Sequence, residues 1–200
     1  MLSALIKTIG RDTVQNSIDS AIREGIKPIV VSDGYPLFDP ETDQIMVDGA
    51  YAAIELKKNW GCYGAVAANA GVALSDTPWL MILDDDDELA EGAGDIIRSR
   101  IEQSPNIDIW IPGLKFNNGM VLCDGSNQKV VPGNVAVPIA KVEAFTDAPF
   151  RSKIPDPRFK DYADFFQIVE ATRMGHNVGW VGDNTYLVRP KLAGTNGRGK

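Results

Sequence analysis

The chain has 200 residues, 44% of them hydrophobic and 24% charged, the composition of a soluble globular domain and not of a disordered or fibrous chain. A formal net charge of −7 excludes a general polyanion binder, because nucleic-acid recognition needs a basic footprint; tight nucleic-acid binding is not expected. Two cysteines, Cys62 and Cys123, stand far apart, make no CxxC pair and build no disulfide framework, which fits a reducing compartment.

The opening "MLSALIKTIGRD" has an apolar stretch too short for a secretory signal and is interrupted by Lys7. No apolar run approaches membrane-spanning length, so the expectation is a cytoplasmic protein without a membrane span. Ser3–Ile9 predicts a first strand. A helix follows in "RDTVQNSIDSAIREG", with Val14, Ile18, Ala21 and Ile22 at helical spacing, Asp12 placed to cap its start and Gly25 its end. "KPIVVSDG" predicts a second buried strand, and Asp33 to Asp48 a loop.

"YGAVAANAGVALSDTP" predicts a helix with Val66, Ala70, Ala73 and Leu74 on one face. "WLMILDD" is apolar throughout, as in a parallel strand covered on both faces. A helix from Ala93 to Gln103 follows, weakened at its start by Gly92 and Gly94. "IDIWIP" alternates like a half-buried strand, "FNNGMVLC" carries a hairpin signal, and a loop-rich stretch comes next. The last elements are a helix in "KDYADFFQIVEATRMG", one or two strands in "NVGWVGDNTYLVR", and a basic tail. Strand–helix alternation in the first half predicts an α/β domain with a mostly parallel central sheet flanked by helices. In such sheets ligands sit beyond the carboxyl ends of the strands, and three of those ends are polar: Thr8, Ser32 to Gly34, and Asp84 to Asp87.

The last of these, "WLMILDDDDEL", sets four aspartates directly after a core strand. In an extended segment side chains alternate, so Asp84 and Asp86 would point one way and Asp85 and Asp87 the other. Two such carboxylates repel unless a cation or protons relieve them. Mn²⁺ or Mg²⁺ takes oxygen ligands, typically one or two carboxylates plus substrate phosphates, so a D-x-D at a strand end suits bridging a metal to a nucleotide diphosphate. A calcium loop does not fit, since Leu89 holds its glycine position and Asp95 its final glutamate. The plainer alternative is that the acids cap the following helix.

With these residues in place the chain resembles the family 2, GT-A-fold glycosyltransferases, which move a sugar from a nucleotide donor to an acceptor. "ALIKTIGRD" is similar to the family's opening strand and "IVVSDG" to its second. "NWGCYGAVAANAGVALSDTPWLMILDDDDEL" is similar to its central signature, and "FKDYADFFQIVEATRMGHNVGWV" to its late acidic segment. The resemblance implies one Rossmann-like GT-A domain over residues 1–200, with a nucleotide-sugar-binding half to about residue 111, an acceptor-side half over about 112–190, and a flexible tail over 191–200. It implies donor binding by Thr8, Arg11, Asp33, Asn69, Asp84 and Asp85, a metal ligand at Asp86, and Asp161 as general base. Thr8 and Asp33 would meet a uracil-type base, and Asp84 the ribose.

The implied activity is metal-dependent transfer from a UDP-sugar to an acceptor hydroxyl, with inversion and Mn²⁺ or Mg²⁺ as cofactor. Ser32, Lys160 and Ala68 depart from the family's usual Asp, Glu and Arg, and His176 follows the late helix instead of lying in the tail. A retaining transferase, a nucleotidyltransferase and a non-catalytic nucleotide-sugar or divalent-ion module are the alternatives. Asp164 follows Asp161 on the same helix face, where either acid can be catalytic or merely solvated and Asp161 is the favoured catalyst, and Arg189, Lys191, Arg198 and Lys200 read as a frayed end or a lid over the diphosphate. The sequence names no acceptor.

Overall fold

A computed structural model describes residues 1–61, 64–132, 136–151 and 163–188. The chain runs through β1 (Leu2–Thr8), α1 (Val14–Arg23), β2 (Lys27–Asp33), β3 (Ala52–Leu56), α2 (Ala65–Val72) and β4 (Trp79–Asp84). It continues through β5 (Glu88–Leu89), α3 (Ala93–Gln103), β6 (Ile109–Phe116), β7 (Val121–Leu122), β8 (Ile139–Lys141), α4 (Val142–Asp147), α5 (Ala163–Arg173) and β9 (Val178–Val188).

β1, β2 and β4 form the centre because their apolar runs allow burial on both faces; Leu5, Ile6, Ile29, Val30, Ile82 and Leu83 are fully inside. α1 buries Val14, Ile18 and Ala21 as its spacing predicts, whereas Ile22 is exposed. Asp12 does not cap this helix: Thr13 holds the N-cap position and no side chain bonds the helix start. Its C-terminus closes at Gly25, whose N–H bonds the Ile22 carbonyl while Ile26 N–H bonds Ala21. The buried face of α2 is Ala65, Ala68 and Val72 with Ala67 and Gly71, not the Val66, Ala70, Ala73 and Leu74 face the spacing suggested. α3 starts where expected, and Gly94 has a packing reason. Gly94 N–H donates to the buried Glu24 carboxylate at 3.0 Å, and a Cβ at Gly94 would collide with the Glu24 carbonyl oxygen.

One sheet has the order β3-β2-β1-β4-β8-β6-β9-β5, with β7 paired to β6. It is mixed instead of mostly parallel. The pairings β1–β2, β1–β4, β2–β3 and β6–β9 are parallel, while β4–β8, β6–β8, β6–β7 and β5–β9 are antiparallel. The antiparallel half begins where β8, a three-residue strand inside the stretch read as loop, lies beside β4. β6 is buried from Ile109 to Leu114 instead of half-buried, and it lies between β8 and β9 inside the sheet. The β6–β7 hairpin forms as predicted, with Leu114 opposite Leu122. Among the described residues no helix is long and apolar enough to cross a membrane.

Candidate functional site

Register brings the polar strand ends together. Thr8 lies beside Ser32 across β1–β2, and Lys7 beside Asp84 across β1–β4. β4 leaves the sheet at Asp84, and the Asp87 N–H donates to the Asp84 carbonyl at 3.1 Å, so the acidic run is a turn and not an extended segment. The expected alternation of side chains is therefore replaced by separate environments. Nor do the acids cap a helix: β5 comes next, paired to β9, and α3 begins only at Ala93.

Asp84 faces outward with its side chain 41% exposed, and Lys7 Nζ lies 2.9 Å from its Oδ1. Asp85 is 1% exposed and turns back onto the loop after β1. It accepts from the Thr8 hydroxyl at 2.7 Å, from the Ile9 N–H at 3.3 Å and from the Arg11 guanidinium. Thr8 Oγ1 in turn accepts the Gly10 N–H at 2.9 Å, so one hydroxyl and one carboxylate set the path of the chain into α1. Asp86 is buried, with Arg11 Nη1 3.9 Å from its Oδ1. Asp87 is buried beside Tyr186, whose hydroxyl bonds its side chain and accepts the Asp84 N–H at 2.9 Å. Burial, with Asp87 and Asp84 nearby, raises the Tyr186 phenol well above its ordinary value, so it remains a neutral donor. The Ser17 hydroxyl reaches the Asp87 carbonyl at 2.7 Å.

Asp33 lies buried at the end of β2, and its carboxylate accepts the Trp60 and Gly61 N–H groups at 2.8 and 3.0 Å. It thereby fixes the loop leading to α2. Asn69 of α2 engages the main chain of Phe150 from both sides: Nδ2 donates to the carbonyl at 2.9 Å and Oδ1 accepts the N–H at 2.9 Å. His176 sits at the other end of the sheet, near Asp147 at 3.0 Å and Asp108 at 3.9 Å. Trp60 is exposed beside the Asp33-bound loop, with Lys58 Nζ 3.8 Å from its ring centre, while Trp110 belongs to the core. Asp161, Lys160 and the basic tail lie outside the described residues.

Two residues not selected from the sequence belong to this cluster. Lys7 is mostly buried, yet its ammonium is held above the ordinary lysine range: burial works against the charge, and the attraction of Asp84, Asp164 and Asp85 outweighs it. Asp164 stands in the first turn of α5 and accepts the Val137 N–H at 3.0 Å. Burial raises its pKa above the ordinary carboxylate range, Lys7 pulls it back, and Asp84 adds to the rise. Asp164 thus lies within the electrostatic field of Lys7 and Asp84. The available signals were a lone lysine in an apolar strand, and an acid three residues after Asp161.

The described residues adopt a GT-A-like glycosyltransferase fold. No protein-family model and no curated protein matches the chain. Among solved structures it is similar to S. aureus TarS 1-349 in complex with UDP-GlcNAc, with a TM-score of 0.71 and 13% identity over 94% of this chain and 58% of that one. It is also similar to the mannosyltransferase PcManGT from Pyrobaculum calidifontis in complex with GDP-Man and Mn²⁺, at 0.67 and 15% over 96% and 58%. The bifunctional IspDF from Campylobacter jejuni is more distant, at 0.53 and 13% over 91% and 49%. The chain spans about three fifths of the length of the TarS 1-349 structures, 60% of one of them.

Proposed function

We propose that the chain is a nucleotide-sugar transferase that binds its donor across the carboxyl ends of β1, β2 and β4. The observation that carries this reading is the gathering of polar strand ends and the acidic β4 turn at the carboxyl ends of β1, β2 and β4, with the half-buried Asp164 of α5 in the field of Asp84, in a fold shared with proteins captured with UDP-GlcNAc and GDP-Man. Asp33 and Thr8 form the base end of the donor site, with Asp85 and Arg11 shaping the loop beside it. Asn69 is reassigned to holding the Phe150 segment against α2.

A divalent cation fits the donor set at the turn, which offers carboxylate oxygens alone. Among the described residues no three His, Cys, Asp or Glu side chains gather to hold a metal by themselves, and Asp85 accepts from Thr8, Ile9 and Arg11. Asp86, which has Arg11 at 3.9 Å, and Asp84, which is paired with Lys7, are the carboxylates that would hold Mn²⁺ or Mg²⁺ in company with donor phosphates. When bound, the cation supplies stabilisation of charge on the departing diphosphate.

The chain's own acid handles the proton. Asp164 receives the proton of the acceptor hydroxyl as its oxygen bonds the anomeric carbon, and the bond to the diphosphate breaks with its electron pair on the phosphate oxygen. A carboxyl raised above its ordinary range is a better-matched base near neutrality. Asp164 is thus preferred to Asp161, and the reaction inverts the anomeric centre. The test incubates the protein with UDP- and GDP-sugars and Mn²⁺, following nucleoside diphosphate release and product anomer. Asp164→Asn should lose at least about 100-fold in turnover while Asp161→Asn keeps most of it. Retained turnover in Asp164→Asn with loss in Asp161→Asn would return the role to Asp161, and a retained anomer would exclude inversion.

A further inference from the structure

We infer that Tyr35 is the residue on which the nucleobase of the donor stacks, an aromatic wall between the carboxyl ends of β1 and β2. The inference rests on the donor reading above and names the group that the base meets there. The polar side chains that end these two strands are buried: Thr8 is 2% exposed, Ser32 0% and Asp33 3%. Each is engaged with a neighbour in the protein. Thr8 donates to Asp85, and Asp33 accepts the Trp60 and Gly61 N–H groups. These side chains build the floor of the base end. Tyr35, two residues beyond Asp33, is 47% exposed and offers a ligand a flat apolar surface.

The ring is fixed from two sides. Towards β1 it lies against Gly10, where a Cβ would run into Cγ, Cδ2 and Cε2 of Tyr35. Gly10 has φ of +86°, and its N–H donates to Thr8 Oγ1 at 2.9 Å, so the ring leans on the same loop that the strand end holds. Towards β2 the Ser32 hydroxyl accepts the Tyr35 N–H at 2.8 Å and donates to the Tyr35 carbonyl. Pro36 follows and restricts the Tyr35 backbone further. Ser32, which departs from the family's usual Asp, thereby becomes a positioning residue for the ring. An aromatic side chain held in place this way gives up little freedom when a flat ligand covers it. Every base has a π-face, so the wall suits uracil and guanine alike.

The test is calorimetry on the full chain with Mn²⁺ and UDP, GDP or 5,6-dihydro-UDP, whose saturated base keeps its hydrogen-bonding edge and loses its flat face. The wild type should bind UDP about tenfold more tightly than the dihydro analogue. Tyr35→Leu should weaken UDP and GDP about tenfold and bring the preference for UDP over the analogue below about twofold. Tyr35→Phe keeps the ring and should keep both affinity and preference within about twofold. If the wild type takes GDP alone, the loss in Tyr35→Leu and its absence in Tyr35→Phe are read on GDP. Thermal unfolding confirms folding of each variant, and Tyr35→Gln replaces Tyr35→Leu if the latter does not fold. Unchanged nucleotide affinity in Tyr35→Leu, an undiminished preference for UDP over the analogue, or an equal loss in Tyr35→Phe overturns the stacking role. A wild type that binds neither UDP nor GDP instead overturns the donor reading.

Discussion

Asp85 has the most demanding surroundings of the four acids, because it is sealed from water and meets three donors of the β1–α1 loop. Asp85→Ala removes the acceptor for all three and should cost about 2–3 kcal/mol in urea unfolding, since unmatched polar groups near the core are expensive. Asp84→Ala removes a carboxylate that faces outward and should cost much less stability; equal losses would contradict this division of labour. Asp164 makes a different demand, on pH. Its carboxyl must be ionised to act as base, and its pKa is raised by burial, so activity falls as pH drops through a value above the ordinary 3.8. A kcat/KM profile should show an acidic limb higher than a solvated carboxylate gives, and Asp164→Asn should abolish it.

Among the elements, the Asn69–Phe150 clasp joins α2, which flanks the donor-side strands, to the segment after α4. Asn69→Ala leaves a buried N–H and C=O of Phe150 without these partners and should lower stability by about 1–3 kcal/mol. Donor affinity measured by calorimetry should change less than about threefold, whereas a large loss of affinity with unchanged stability would restore Asn69 to the donor site.

The same scale explains what could be read from the sequence. β1, α1, β2, β4 and α3 were legible because each has a contrast: a solid apolar run, or apolar positions at helical spacing between polar ones. α2 offers little contrast, since six of its eight residues are alanine or valine, and its inward face was misassigned. β3 and β8 are short, and only their neighbours in the sheet give them order. In the site, the crowding of acids was visible but the turn was not, because a backbone bond between Asp84 and Asp87 leaves no mark on residue type. Lys7 and Asp164 acquire their meaning from partners distant in sequence, Asp84 for the lysine and the Val137 N–H for the acid, which a local pattern does not encode.

On the scale of the molecule, the mixed sheet has a consequence for chemistry. Its parallel strands β3, β2, β1 and β4 gather Asp33, Thr8 and the acid turn at one edge of the layer. The elements after β6 bring α5 back so that Asp164 shares the field of the turn. In the proposed function one half presents the donor side and the other the base. The most direct measurement is a crystal structure of the protein soaked with Mn²⁺ and a turned-over nucleotide sugar. The account predicts manganese between the diphosphate and Asp86 or Asp84, with the anomeric carbon facing Asp164. Density for the ligand away from the carboxyl ends of β1, β2 and β4, with Asp84 and Asp86 directed to solvent, would contradict it.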